Sequence, residues 1–394
     1  RRSSDLIDNM TSAKKYLKKS SSSSNVNLGI VKSVQKALNL RTREANVMLQ
    51  NLSKIQPKHS IVRYNLALTY AQMGDIVQAQ KHFLDSYHID AKNYLSGIYS
   101  IMCSQLIHKD YTKLMSIIYE SISQEKDTQE IRLYKTLLQL VQNNTLAMLN
   151  WLDNKEKKRP LYLALDVIIA LKLNKTDIAK KSVNKLIAMQ KNNILPHMMY
   201  IDVNFNDFDN IEYAREVQNY LKKQKFKFDD LYYGPYITRF LYIQQNLITG
   251  KLYFVRQQIK KVLEATQEST HELNSALALA SLYDGAFEES YSLYNNLVDN
   301  LKVRDARTIF LAGVASIAAS HHPNAIALLQ LSILKDKYFF EARYALGLLY
   351  LEVKNNKGAV VQLSKIDTPN FNSEYFNFDI NLDELTYEKM HPNE

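Results

Sequence analysis

The chain has 394 residues, 46% of them hydrophobic, and a net charge of +10; that is enough apolar material for a large core, yet it holds no run of about 18 uninterrupted apolar residues that could span a membrane. Nine Gly and seven Pro fall well below the usual shares of roughly 7% and 5%, which argues against turn-dense strand architectures. The single cysteine, Cys103, excludes an intramolecular disulfide framework and a Cys-rich zinc site.

Residues 1–25 contain an unbroken run from Ser20 to Ser24 and are predicted to be a linker or a frayed first helix. The chain starts at Arg1, so a piece of a longer protein is expected, with any leader or upstream domain out of view. From about Leu28 to Ile366 the helical spacing is nearly continuous, and the array is placed at residues 26–366. Its clearest unit is YNLALTYAQMGDIVQAQKHF, residues 64–83. Leu66, Ala67, Tyr70 and Met73 form one stripe of a helix, and Ile76, Ala79, Phe83 and Tyr87 form another. Gly74 and Asp75 between them can end the first helix and cap the second. The small Ala67 and Ala79 allow close approach, and Tyr70 and Phe83 fill the seam. Such a hairpin cannot bury both faces alone and needs neighbours.

The neighbours are written in the chain at one period. Ala45, Leu49 and Pro57 stand 34 residues ahead of Ala79, Phe83 and Ala91. A weaker copy is Asn174 to Leu186, with Ala179 and Val183 in the small and large places. Gly250 to Ile259 and Gly285 to Tyr294 extend the series, and Gly313, Ala325 and Leu329 precede Gly347, Ala359 and Leu363 by 34 positions each. In RYALGLLYLEVKNNKGAVVQLSKI, residues 343–366, Leu346, Gly347, Tyr350, Ala359 and Leu363 repeat the places of Leu66, Ala67, Tyr70, Ala79 and Phe83 without a gap. Residues 93–155 and 191–235 are helical in pattern but align with no copy. About ten helix pairs fit at this period. After Ile366 the period stops, and residues 367–394, with Tyr375, Phe376, Phe378 and Ile380 beside Asp379, Asp383 and Glu384, are predicted to fold back as a cap on the last hairpin.

These residues carry a resemblance. YNLALTYAQMGDIVQAQKHF and YALGLLYLEVKNNKGAVVQL look like members of the tetratricopeptide repeat superfamily, whose signature pairs a small residue with a large one around a Gly-Asp turn. The resemblance implies an all-α, right-handed superhelical solenoid whose first helices line a concave, protein-binding surface. It places Tyr64, Asn65, Leu68, Gln72, Tyr344 and Leu348 in that groove. It gives Gly74, Ala79, Phe83, Gly313, Ala325, Gly347, Tyr350 and Ala359 structural repeat positions. Asn65 matches one place of the carboxylate clamp of chaperone-linked members, but Tyr64 and Leu68 stand where Lys and Asn are expected, so that subclass is not implied.

Chemistry is sparse. None of the nine glycines forms a phosphate-binding loop. His321-His322-Pro323 reads as a turn before a helix, since adjacent helical residues diverge and Pro suits the first helical position. DVNFNDFDN, from Asp202 to Asn210, opens with calcium-loop spacing, but Asp207 stands where Gly is wanted and Tyr213 where a bidentate Glu should close the site. It reads as an Asx-rich connection. Basic clusters at Lys14–Lys19, Lys155–Arg159 and Lys222–Lys227, the last interleaved with Phe226 and Phe228, would suit a nucleic-acid groove, but no basic stripe recurs from repeat to repeat. Cys103 has no legible His-Asp partner set. No catalytic residue, metal, cofactor or small-molecule substrate is expected.

The expected function is a non-catalytic protein-protein interaction scaffold. ALGLLYLEVKNNKGA and NSEYFNFDI, with the Asn/Lys/Tyr-rich composition, are similar to the paralysed-flagellum protein A family of the epsilon-proteobacterial flagellar motor. That resemblance implies a periplasmic component needed for disc and stator assembly, with other motor proteins as partners. The alternatives are a cytosolic or envelope scaffold unrelated to flagella and a nucleic-acid-binding repeat protein.

Overall fold

The computed structural model describes residues 25–153, 159–266, 270–366 and Ser373. The described residues are helical, with no strand, and the helices pack as ten consecutive hairpins. The first five are α1 Asn25–Leu38 with α2 Thr42–Ile55, α3 Ser60–Met73 with α4 Ile76–Ile89, α5 Tyr94–Leu106 with α6 Thr112–Ser123, α7 Gln129–Val141 with α8 Thr145–Leu152, and α9 Pro160–Lys172 with α10 Thr176–Met189. The sixth is α11 Ile194–Phe205 with α12 Asn210–Lys222, followed by a one-turn helix, α13 Asp229–Tyr232. The last four are α14 Tyr236–Ile248 with α15 Leu252–Ala265, α16 His271–Tyr283 with α17 Phe287–Asn295, α18 Ala306–Ala318 with α19 His322–Lys335, and α20 Phe340–Glu352 with α21 Asn356–Leu363. This is the all-α solenoid of helix pairs that the period predicts, with consecutive hairpins packed on one another.

Nine of the ten hairpins turn alike. Each first helix is followed by a residue with positive φ: Leu40, Gly74, His108, Asn143, Asn174, Gly250, Gly285, Ser320 and Lys354. In the second hairpin the Gly74 N–H donates to the Ala71 carbonyl at 3.1 Å and the Asp75 N–H to the Tyr70 carbonyl at 3.0 Å, which satisfies the carbonyls that a helix end leaves open. The same pair of bonds recurs at Ser320-His321 and at Lys354-Asn355. Glycine fills only three of the nine places. Elsewhere an L side chain takes a conformation that costs about 1–2 kcal/mol, and the packing of the two helices holds it there.

That packing repeats as a lock of small against large. Ala67 and Ala79 are fully buried beside Phe83. Gly313 lies against Leu329 and Gly347 against Leu363, so closely that a Cβ at Gly347 would come within 2.6 Å of the leucine Cδ2. Ala325 and Ala359 are fully buried in the equivalent second helices. The half-buried Tyr350 accepts a hydrogen bond from Gln330 at 2.9 Å, as Tyr70 does from Gln50 at 3.0 Å, so a polar tie between consecutive hairpins repeats as well.

The sixth hairpin departs from the rule. Asp202 and Asn204 lie inside α11, so the calcium-loop spacing falls on a helix and not on a loop. Its turn has no residue of positive φ; Asp209 instead caps α12 through the N–H groups of Ile211 and Glu212 at 2.9 and 2.8 Å. α13 is an insertion that packs on α16. Both features explain why residues 191–235 align with no other repeat.

The array coils until its ends meet. Arg43 at the start of α2 pairs with Glu272 at the start of α16 at 2.6 Å. The Tyr236 ring lies where a Cβ on Gly74 would sit 3.0 Å away, and the His108 ring stacks on Phe340 at 5.1 Å. The turns inside the first three hairpins thus meet the connections that enter the last four. Asp75 lies on this seam, where it caps α4 through the Gln78 N–H at 3.1 Å. Burial, then the carboxylates of Asp305 and Asp336 from the facing hairpins, push its carboxyl up to about 6, against the bond from Gln78 and the charge of Lys335.

A carboxyl raised in the folded state favours folding below its ordinary value of 3.8, and that contribution is lost as pH rises through about 6. Asp75→Asn keeps the cap and removes the charge. It is expected to be more stable than the parent by about 1–2 kcal/mol at pH 7.5, with the difference closing towards pH 4. Melting curves of both proteins across this range check it; a pH-independent difference would remove the seam from the explanation.

Of the predicted cap, Ser373 alone is described, and its hydroxyl donates to Glu341 on α20 at 2.6 Å. Residues 367–372 and 374–394 of the predicted cap and residues 1–24 of the linker predicted at 1–25 lie outside the described residues; Asn25 begins α1.

Candidate functional site

The six groove residues separate on inspection of their surroundings. Tyr64 is 3% exposed, with its ring 5.8 Å from Phe83 and 6.4 Å from Tyr99. Asn65 is 6% exposed and donates to the Ile61 carbonyl one turn back at 2.8 Å. Both belong to the interior, contrary to expectation: Tyr64 is packed between the second helix of its own hairpin and the first helix of the next, and Asn65 is turned back onto its own helix. Leu68, Gln72, Tyr344 and Leu348 are half-buried, and Gln72 accepts a bond from Thr42 at 3.3 Å. They retain surface.

A more distinct surface lies on the outer edge of the last four hairpins, where the turns follow one another. Tyr253 and Phe254 at the start of α15 are 53% and 63% exposed, and Phe287 at the start of α17 is 42% exposed. Tyr253 and Phe254 meet edge to face at 5.7 Å. Lys251 sits 5.5 Å above the Phe254 ring and Arg256 5.8 Å from the Tyr253 ring, an arrangement that favours the cation while the ring stays open to a partner.

Polar side-chain contacts tie each turn to the next and fix this edge. Arg256 pairs with Asp284, and with Glu289 at 3.4 Å. Lys260 reaches Glu289 at 2.8 Å. Burial works against the charge on Glu289, but the bonds from Lys260 and Ser281 and the charge of Arg256 outweigh it and hold the carboxyl below its ordinary value. His321 stacks on Tyr291 at 4.0 Å and lies 3.3 Å from Glu288. His322 lies 3.7 Å from Glu352. The His-His-Pro trio therefore serves two successive turns, and no group of three metal-ligating side chains occurs among the described residues. Pro323 is the second residue of α19.

The aromatic edge had a signal in the sequence. The buried stripe of α15 is Leu252, Val255 and Ile259. Successive helical residues are about 100° apart, so the adjacent Tyr253 and Phe254 cannot join that stripe and must face elsewhere. The basic cluster at Lys222–Lys227 resolves the other way. Phe226 packs on His197 at 5.1 Å and on Tyr242 at 6.0 Å, and Phe228 on Tyr242 at 6.0 Å, so these half-buried rings are engaged against the core. Cys103 is buried, and burial pushes its thiol up to about 12, away from nucleophilic chemistry.

The helix pairing, the repeated turn and the small-large lock define an all-α solenoid of helix hairpins. No family model matches the chain, and no curated protein matches it. Among solved structures, a tetratricopeptide repeat protein from Parabacteroides merdae is 14% identical with a TM-score of 0.34, over 84% of this chain and 98% of that one. The APC/C hetero-tetramer Cut9-Hcn1 gives 12% identity and 0.37 over 93% and 92%. Yeast Tom70 gives 11% and 0.36 over 93% and 95%. At such scores none of the three fixes the curvature of this chain.

Proposed function

We propose that the protein is a non-catalytic scaffold that binds partner proteins, and that the edge carrying Tyr253, Phe254 and Phe287 is a principal contact. The observation that carries this reading is the exposure of three large rings on elements held rigid by ion pairs. Aromatic side chains beside arginine are the commonest anchors of protein interfaces, and contiguous exposed apolar surface marks binding sites. The half-buried Leu68, Gln72, Tyr344 and Leu348 supply a second, weaker surface on the first helices.

The finer reading is a periplasmic component of the flagellar motor that supports disc and stator assembly. It is supported by the sequence likeness in residues 345–359 and 372–380. Tagged protein recovered from the native cell, with the co-purifying proteins identified, names the partner. The double substitution Tyr253→Ser with Phe254→Ser is expected to weaken binding of that partner by about 30-fold or more and to leave the melting temperature within about 1 °C. In the motor reading it also reduces swimming while filaments still grow. Unchanged affinity would remove this edge from the interface, and partners with no link to motility, together with normal swimming, would remove the motor reading.

A further inference from the structure

The turn at Gly250 carries more open apolar surface than the rings of Tyr253 and Phe254. Leu247 and Ile248, at the end of α14, are 42% and 49% exposed, so four large side chains frame this turn. The charges beside them are mostly of one sign. α15 has no carboxylate before Glu264, and Lys251, Arg256, Lys260 and Lys261 all precede it. Asp284 and Glu289 answer Arg256 and Lys260, and Glu288 on the next turn lies 3.3 Å from His321. Lys251 lies over the Phe254 ring, Lys261 is exposed, and neither pairs with a carboxylate among the described residues. Open rings flanked by such cations suit an acidic segment that brings apolar anchors of its own.

The chain itself contains one such segment. Residues 374–388, EYFNFDINLDELTYE, hold five carboxylates, those of Glu374, Asp379, Asp383, Glu384 and Glu388, with no Lys or Arg, and they open with Tyr375, Phe376 and Phe378. Where the chain leaves the array decides which copy these rings can reach. Ser373 donates to Glu341, the second residue of α20, whereas the aromatic edge runs along the turns at the far ends of the first helices. At 1.5 Å per residue, α20 puts about 20 Å between those two edges. The three hairpin steps from α20 back to α14, at roughly 10 Å each, add about 30 Å along the array. Phe376 and Phe378 can lie no more than about 11 and 18 Å from Ser373, so they fall short of Tyr253 and Phe254 in their own chain. We propose that residues 374–388 of one copy dock on the aromatic edge of a second copy, with rings against Tyr253 and Phe254 and carboxylates against Lys251 and Lys261. Two different surfaces meet in this contact, so copies add head to tail. It rests on the reading of this edge as a partner-binding surface and supplies the occupant.

The test is sedimentation equilibrium of the full chain, whose average mass is expected to rise above that of the monomer between about 1 and 100 µM and to fall back as salt screens the carboxylates. Phe376→Ser with Phe378→Ser in the tail, and Tyr253→Ser with Phe254→Ser at the edge, are each expected to weaken self-association by about 30-fold or more. Lys251→Glu with Lys261→Glu is expected to weaken it by about tenfold. The tail variant keeps an intact edge and the edge variant an intact tail, so an equimolar mixture of the two should form one-to-one dimers with the parent's affinity and nothing larger. A parent chain that stays monomeric, or a mixture that does, overturns the proposal. So does a tail variant that melts several degrees lower while the edge variant associates like the parent, since the rings then cover the last hairpin of their own chain. If the parent is monomeric and Tyr253→Ser with Phe254→Ser still loses a co-purified partner, the tail is ruled out as occupant and the edge remains a contact for another protein; if that partner is retained, the edge fails as well.

Discussion

Phe310→Ala is expected to lower the unfolding free energy by about 3–5 kcal/mol, the range for removing a fully buried aromatic ring. The ring has no exposure and meets Phe339 edge to face at 5.2 Å. Phe339 precedes Phe340, on which His108 from the third hairpin stacks. The cavity left by the substitution therefore loosens both the ninth hairpin and the seam that joins the two ends of the array. Phe287→Ala, at the exposed edge, serves as the control and should change stability by no more than about 0.5 kcal/mol. Denaturant melts of the two variants separate them; losses of equal size would mean that Phe310 is not a core position.

Gly97→Leu is expected to cost about 3 kcal/mol through overpacking. Gly97 lies in α5 with a second helix on either side. A Cβ there would collide with the Ile118 Cδ1 of α6 and would lie 3.0 Å from the Tyr87 Cδ2 of α4. Both neighbours are themselves buried, so neither can swing into solvent. Ile118→Ala in the same chain should recover part of the loss, because the two substitutions share one volume. If the double variant is no more stable than the sum of the single losses, the close approach at Gly97 is not what limits the side chain there.

Gly97 also shows why part of the fold was hard to read. In the motif hairpins the small residue of the first helix meets its large partner sixteen positions on, as Gly313 meets Leu329 and Gly347 meets Leu363. In the third hairpin Gly97 lies about one helical turn further ahead of its turn residue His108 than Gly313 and Gly347 lie ahead of Ser320 and Lys354, and its large partner is Ile118. Its turn residue is His108 and that of the fourth is Asn143, both in the left-handed region that Gly74 occupies in the second. With neither the glycine nor the spacing retained, residues 93–155 kept only their apolar stripe.

The sequence by itself determined the class of structure. Spacings of three and four make helices wherever the apolar residues recur at them, and the Gly-Asp turn with its small-large pair sets a hairpin of about 34 residues that must stack on its own copies. These are local signals, decided within a few turns of helix, and they needed nothing from the rest of the chain. Burial of Tyr64 and Asn65, the exposure of Tyr253 and Phe254 side by side, and the seam that brings Arg43 to Glu272 were decided by the tertiary structure. Each depends on the angle between successive hairpins, which accumulates along the array. A small rotation per repeat, summed over several repeats, determines which faces meet and which remain open, and no single stretch of the sequence carries that sum.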